Sequence, residues 1–136
     1  DELVYRDTDY KIYEMPGAVS AGNYTKYASV MAELRSKGAD EMNILNGLCS
    51  YFRTLFEIAA LKKSDAETAA ALGMKEYAVK MSRRQAAAFT PVRLKKCYNA
   101  LYGAIGGVKS GRLTPEGALL RANADIFFGL KPNNRA

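Results

Sequence analysis

The sequence contains no histidine. That removes at once the commonest general base and the commonest metal ligand. With it goes any Ser–His or Cys–His nucleophile pair, leaving only a Ser–Lys arrangement that nothing in the spacing specifies. Cysteine is nearly as scarce: only Cys49 and Cys97 occur, each within an apolar helical pattern where small buried thiols are ordinary. Neither a disulfide nor a thiolate metal site is predicted from two such residues. No run of ~20 consecutive apolar residues is present, so no membrane span is expected. Signal-peptide features, internal repeats and low-complexity tracts are also missing, and the chain is predicted to be cytoplasmic. It starts at Asp1 without an initiator methionine, which reads as a fragment or a processed product. Charge of one sign does not dominate. Twenty Lys and Arg against fourteen Asp and Glu give +6, compatible with nucleic acid yet common in proteins that never meet it.

What is present is helical periodicity. The 136 residues are 49% hydrophobic and 25% charged, enough for one domain with a real core. The organising stretch is Asp40 to Lys63, with apolar residues at Ile44, Leu45, Leu48, Cys49, Tyr51, Phe52, Leu55, Phe56, Ile58, Ala59 and Leu61. Steps of three and four define a helix. Only a narrow strip is polar, at Asn43, Asn46, Ser50, Arg53 or Thr54, and Glu57. A helix so apolar around most of its circumference has to be wrapped by others. The predicted fold is therefore all-α, a single bundle of about six or seven helices around a long central helix.

Start and stop signals divide the rest. Residues 1–21 read as an entry segment, in which Asp7 or Thr8 caps a short helix carrying Ile12 and Tyr13 until Pro16 and Gly17 interrupt it. Residues 22–130 read as the bundle proper. Gly22-Asn23 is a turn, and Tyr27, Val30, Met31 and Leu34 share one face of a helix stopped by Gly38. Asp40 caps the central helix, and Ser64 with Glu67 forms a capping box that opens a short helix ending at Leu72-Gly73. Lys75 to Phe89 is the next helix, with Tyr77, Met81 and Phe89 expected inside and Lys80, Arg83 and Arg84 outside. Thr90-Pro91 and Thr114-Pro115 start the last two, a cap followed by a first-turn proline each time. The first carries Leu94, Cys97, Tyr98, Leu101, Ile105 and Val108; the second carries Leu119, Leu120, Ala124, Phe127 and Phe128. Residues 131–136 read as a loose tail.

Two stretches imitate functional motifs. Gly106-Gly107-Val108-Lys109-Ser110-Gly111 suggests a phosphate loop, but Val108 replaces the required glycine and a helix, not a strand, precedes it. It is read as a helix C-terminus with a glycine cap, and Gly103 and Gly107 as places where a neighbouring helix approaches closely. Ala69, Gly73 and Val79 follow helix-turn-helix spacing, which would offer Lys75, Lys80, Arg83 and Arg84 to phosphate. Ser82, however, falls where a further apolar residue is usual, and two helices joined by a glycine turn are frequent in bundles. Asp40, Glu41, Glu67 and Glu116 stand at helix starts, where the macrodipole accounts for them. No catalytic residue, cofactor site or metal site is assigned. Nine tyrosines suit half-buried positions or a protein interface.

In order along the chain, these segments resemble the C-terminal portion of the delta subunit of bacterial DNA polymerase III, a clamp-loader component. The likeness runs from about residue 9 to 128. It rests on Ile12-Tyr13-Glu14, Asn43-Ile44-Leu45 through Ser50-Tyr51-Phe52-Arg53, Ala71-Leu72-Gly73-Met74 with Tyr77-Ala78-Val79-Lys80, Gln85-Ala86, Phe89, Leu94, Leu101, Lys109-Ser110-Gly111 and Leu113 to Leu120. Ile105 departs from it, standing where the family often has an acidic residue four before the lysine. The resemblance implies a helical collar domain of a DNA polymerase holoenzyme subunit. Such a domain, itself non-catalytic, would associate with the C-terminal domains of the ATPase subunits and delta-prime in DNA replication. Contact with DNA is possible but not required, and no membrane is involved. The alternative is a helix-turn-helix DNA-binding domain formed by residues 64–89.

Overall fold

The computed structural model describes residues 14–129. Seven α-helices follow one another: α1 (Met15–Ala21), α2 (Tyr24–Ser36), α3 (Glu41–Ala60), α4 (Asp65–Leu72), α5 (Glu76–Ala86), α6 (Pro91–Lys109) and α7 (Pro115–Ala124). A short π-helical turn, Asp125–Gly129, ends the series. No strand occurs among the described residues, and the all-α bundle matches the periodicity. The expected helix start around Asp7 or Thr8 and the tail at 131–136 lie outside the described residues.

The caps fall where the residue types place them. The side chain of Asp40 accepts from Asn43 N–H, Thr90 from Arg93 N–H and Thr114 from Gly117 N–H. Each thus satisfies a backbone donor that the first turn leaves without a helical partner. Ser64 and Glu67 form the reciprocal capping box. Pro16 and Gly17 lie in the first turn of α1, where a missing N–H costs nothing; the expected helix they were to end, carrying Ile12 and Tyr13, falls outside the described residues. α1 stops at Gly22, whose φ of 70° is the left-handed conformation of a glycine cap.

α3 is the central post. Ile44, Leu45, Leu48, Phe52, Leu55 and Ile58 are fully buried, Cys49 nearly so, and Tyr51, Phe56 and Ala59 are half-buried. Asn43, Asn46, Ser50 and Arg53 form the exposed strip. The helix is shorter than its pattern: Leu61 has left it for extended backbone (φ −83°, ψ 117°), and Lys62-Lys63 lead out to the Ser64 cap. α3 packs against α5, α6 and α7, most extensively against α6. α6 contributes Leu94, Cys97, Leu101, Ala104 and Ile105 to the common core, and α2 contributes Tyr27, Val30, Met31 and Leu34. Burial of side chains of this size stabilises by roughly 1.5–3 kcal/mol each, so the α3–α6 seam holds the bundle together. Ile105 is among these core residues.

Two faces differ from expectation. On α5, Val79, Ser82 and Ala86 face inward, whereas Tyr77 is 73% exposed and Met81 is 42% exposed. Phe89 is buried but lies past the helix end, edge-on to Phe52 with centroids 5.8 Å apart. On α7 the buried set is Ala118, Leu119, Ala122 and Asn123, followed by Ile126, while Leu120 and Ala124 face out. On α5 size misled the pattern: the inward row is of smaller side chains that fit a close helix contact, and the larger ones stand on the opposite side. On α7 the buried face is shifted by one residue, taking in Leu119 and Asn123 and leaving Leu120 outside.

Candidate functional site

Among the described residues, no group of three or more Cys, Asp or Glu is placed to hold a metal ion. No helix there is long and apolar enough to cross a membrane. The two thiols are buried and unbonded to one another. Burial pushes Cys97 up to about 11 against a small opposing pull from Arg93, and it raises Cys49 likewise, opposed by Arg53. Neither is a poised nucleophile, since the thiolate is the reactive form. Tyr27 has a raised pKa too, first through burial and then through Cys97 and Tyr24. Its hydroxyl donates to Asn123 Oδ1 at 2.8 Å, and Asn123 Nδ2 in turn reaches Met31 Sδ at 3.5 Å. This polar contact ties α2 to α7. Where polar groups are buried, then, they serve the fold.

The glycine-rich end of α6 is a helix terminus. α6 ends at Lys109 with Ser110 as cap, and Gly111 takes a φ of +83°. Ser110 N–H donates to Gly106 O, and the N–H groups of Arg112 and Leu113 both donate to Gly107 O, at 2.9 and 3.0 Å. A phosphate cradle needs such N–H groups pointing outward; here they close the helix on itself. A Cβ on Gly107 would lie 2.6 Å from Leu113 Cδ1, so Gly107 admits the chain that turns back from α6, not a neighbouring helix. At Gly103 a Cβ would meet nothing within 4 Å, and the expected close helix approach is absent there.

α4 and α5 are two short helices joined by a glycine turn. Gly73, at φ +68°, makes the turn; Ala69 and Val79 are buried beneath it. Ser82, the irregular position in the motif, is buried with its Oγ 3.5 Å from the Tyr51 hydroxyl of α3. Of the four basic residues singled out by the sequence, three share the outside and one does not. Arg83 lies back across α4: its Nε is 2.9 Å from Asp65 Oδ1, and its guanidinium also donates to Thr68 Oγ1 and to Lys63 O, each at 3.2 Å. It is a clamp between helices. Lys75, Lys80 and Arg84 are exposed, and beside them stand Tyr77 and Met81. Sequence reasoning missed these two as surface residues. The signal was available: Val79 inside the turn forces Tyr77 and Met81, two residues away on either side, to the far side of the helix.

Other aromatic groups reach the surface separately. Tyr102 of α6 is exposed, stacked on Tyr98 with centroids 5.8 Å apart, and Tyr24 of α2 meets Phe127 edge-on at 5.2 Å. Phe52 and Arg53, the aromatic–arginine pair of the central helix, diverge. The ring is buried and the guanidinium pairs with Glu57 at 3.2 Å on the outside.

The comparisons with known proteins agree with this architecture. The family model for the DNA polymerase III delta subunit, C-terminal domain, matches residues 9–120. The Bacillus subtilis DNA clamp loader delta protein is similar in structure, with a TM-score of 0.80 at 16% sequence identity. That match covers 88% of this chain and 36% of the Bacillus protein, so the chain spans little more than a third of that relative's length. At this identity it shows a shared fold. Among curated proteins, none matches the sequence. With the family model covering most of its length, the chain belongs to the family of C-terminal domains of the DNA polymerase III delta subunit.

Proposed function

We propose that the chain is a non-catalytic assembly module of a bacterial DNA polymerase III clamp loader. It joins its subunit to the C-terminal domains of the ATPase subunits and delta-prime in the cytoplasm. The observation that carries this reading is the family match over residues 9–120. The bundle is consistent with it: the interior is filled by apolar side chains and structural hydrogen bonds, and the aromatic groups left at the surface suit protein contacts. The test is reconstitution. The delta protein carrying this chain, mixed with the purified ATPase subunits and delta-prime, should elute from a sizing column as one complex, and a version truncated before residue 9 should not. Failure of the intact protein to form any complex at micromolar concentration would end the proposal.

A second reading is duplex DNA contact through α4 and α5, favoured by the left-handed Gly73 turn and the exposure of Lys75, Lys80 and Arg84. It predicts binding at low salt that weakens steeply as salt is added. Absence of a mobility shift at low ionic strength would remove it.

A further inference from the structure

Resting on the assembly reading above, we infer that the outer face of α5 is a subunit-docking surface, and that it takes an amphipathic helix of a loader partner bearing carboxylates beside its apolar stripe. Tyr77, Lys80, Met81 and Arg84 stand at positions i, i+3, i+4 and i+7. At about 3.6 residues per turn, this spacing gathers them along one line of the helix. That line lies directly opposite the Val79, Ser82 and Ala86 row, which packs on the rest of the bundle.

The composition of the line points to protein. Tyrosine, methionine and arginine are the residue types that interface cores enrich, and here they are one turn apart on a single face. Among the described residues, Tyr77 is the most exposed of the large apolar side chains, at 73%. With Met81 it forms an apolar centre that water covers in the isolated chain. A surface evolved for phosphate alone would have no use for that centre, because phosphate contacts come from cations and hydrogen-bond donors.

Charge then fixes the partner's chemistry. Lys80 and Arg84 flank the apolar pair, and among the described residues neither makes an ion pair. Arg83, the neighbouring cation, shows the contrast: it is already held by Asp65. A helix laid along α5 satisfies the face if it brings aliphatic or aromatic side chains onto Tyr77 and Met81, and a Glu or Asp within reach of Lys80 and Arg84. Arg84 is the stronger anchor, since its planar fork takes a carboxylate through two parallel hydrogen bonds.

The experiment uses the full delta protein with the purified ATPase subunits and delta-prime. Two variants are compared with the native protein by calorimetric titration at two salt concentrations: Tyr77→Ala with Met81→Ala, and Lys80→Glu with Arg84→Glu. All four side chains lie at the surface, and unchanged thermal melting of the free variants verifies the fold. Each pair should weaken assembly at least tenfold, and charge reversal should also abolish the salt dependence of that affinity. Native affinity in both variants would overturn the proposal while leaving the family-level assembly role intact. If the native protein itself does not assemble, the assembly reading falls and this inference falls with it. Unchanged assembly together with loss of duplex DNA binding in the charge-reversed variant would assign the face to nucleic acid instead, and that also overturns it.

Discussion

At the scale of single residues, the most informative contact is Tyr27 with Asn123, 96 positions apart in sequence. Both are buried, and the tyrosine hydroxyl is the donor that satisfies Asn123 Oδ1. Tyr27→Phe keeps the ring and its edge contact with Phe127 at 4.9 Å but leaves the amide oxygen without that donor. A buried polar atom so stranded costs about 1–3 kcal/mol, so urea denaturation of Tyr27→Phe should show a lower midpoint with an unchanged slope. An effect within error would mean that the hydroxyl is dispensable. Tyr27 was legible in the sequence as a core position because it falls in step with Val30, Met31 and Leu34. Asn123 was not. A polar residue in an amphipathic pattern is read as outward by default, and only the three-dimensional partner reveals it as inward.

At the scale of elements, capping chemistry was the most readable feature. Serine, threonine and aspartate before helices, and glycine after them, act within four residues and need no tertiary information. The faces of the short helices were harder to read. On an eleven-residue helix such as α5, two opposed apolar rows fit the sequence equally well, and burial is decided by which row is small enough to seat against α3 and α4. The glycines of α6 separate local from tertiary effects in a measurable way. Gly103 faces solvent with open space over it, so Gly103→Ala should stabilise by about 0.5–1 kcal/mol through helix propensity alone. Gly107→Ala gains the same propensity but drives a methyl group against Leu113. Overpacking costs about 1–3 kcal/mol, so the net change should be a loss. Opposite shifts in melting temperature for the two variants are the expected result; two gains would show that Leu113 yields freely. The Arg83 clamp belongs to the same scale. Arg83→Ala removes hydrogen bonds to Asp65, Thr68 and Lys63 at once. The ion pair is partly exposed, and screening by water limits its worth to no more than about 1 kcal/mol. The larger consequence is expected in backbone hydrogen exchange, which should quicken in α4 and α5 and not in α6.

At the scale of the whole molecule, the bundle hides several weakly acidic protons in one core, and this makes its stability a function of pH. Cys97 has the clearest effect. Its thiol is fully buried, and its ordinary value of 9.0 is raised to about 11, chiefly because burial penalises the thiolate. Below the unfolded value, folded and unfolded chains both hold the proton, so the contribution of this group is complete. Between about 9 and 11 the unfolded chain releases its proton first, and unfolding is favoured more with each step in pH. Cys49 and Tyr27, raised in the same direction by burial, add to the same trend. Chemical denaturation at a series of pH values should therefore give a flat midpoint from neutrality to about pH 9 and a steady fall beyond it. Cys97→Ala should lower the midpoint at every pH, because a buried side chain is trimmed, and should also make the alkaline fall shallower. That second effect distinguishes proton linkage from a simple packing defect. A midpoint that stays level through pH 11, or a fall of equal steepness in the variant, would show that the buried thiol is not the group responsible.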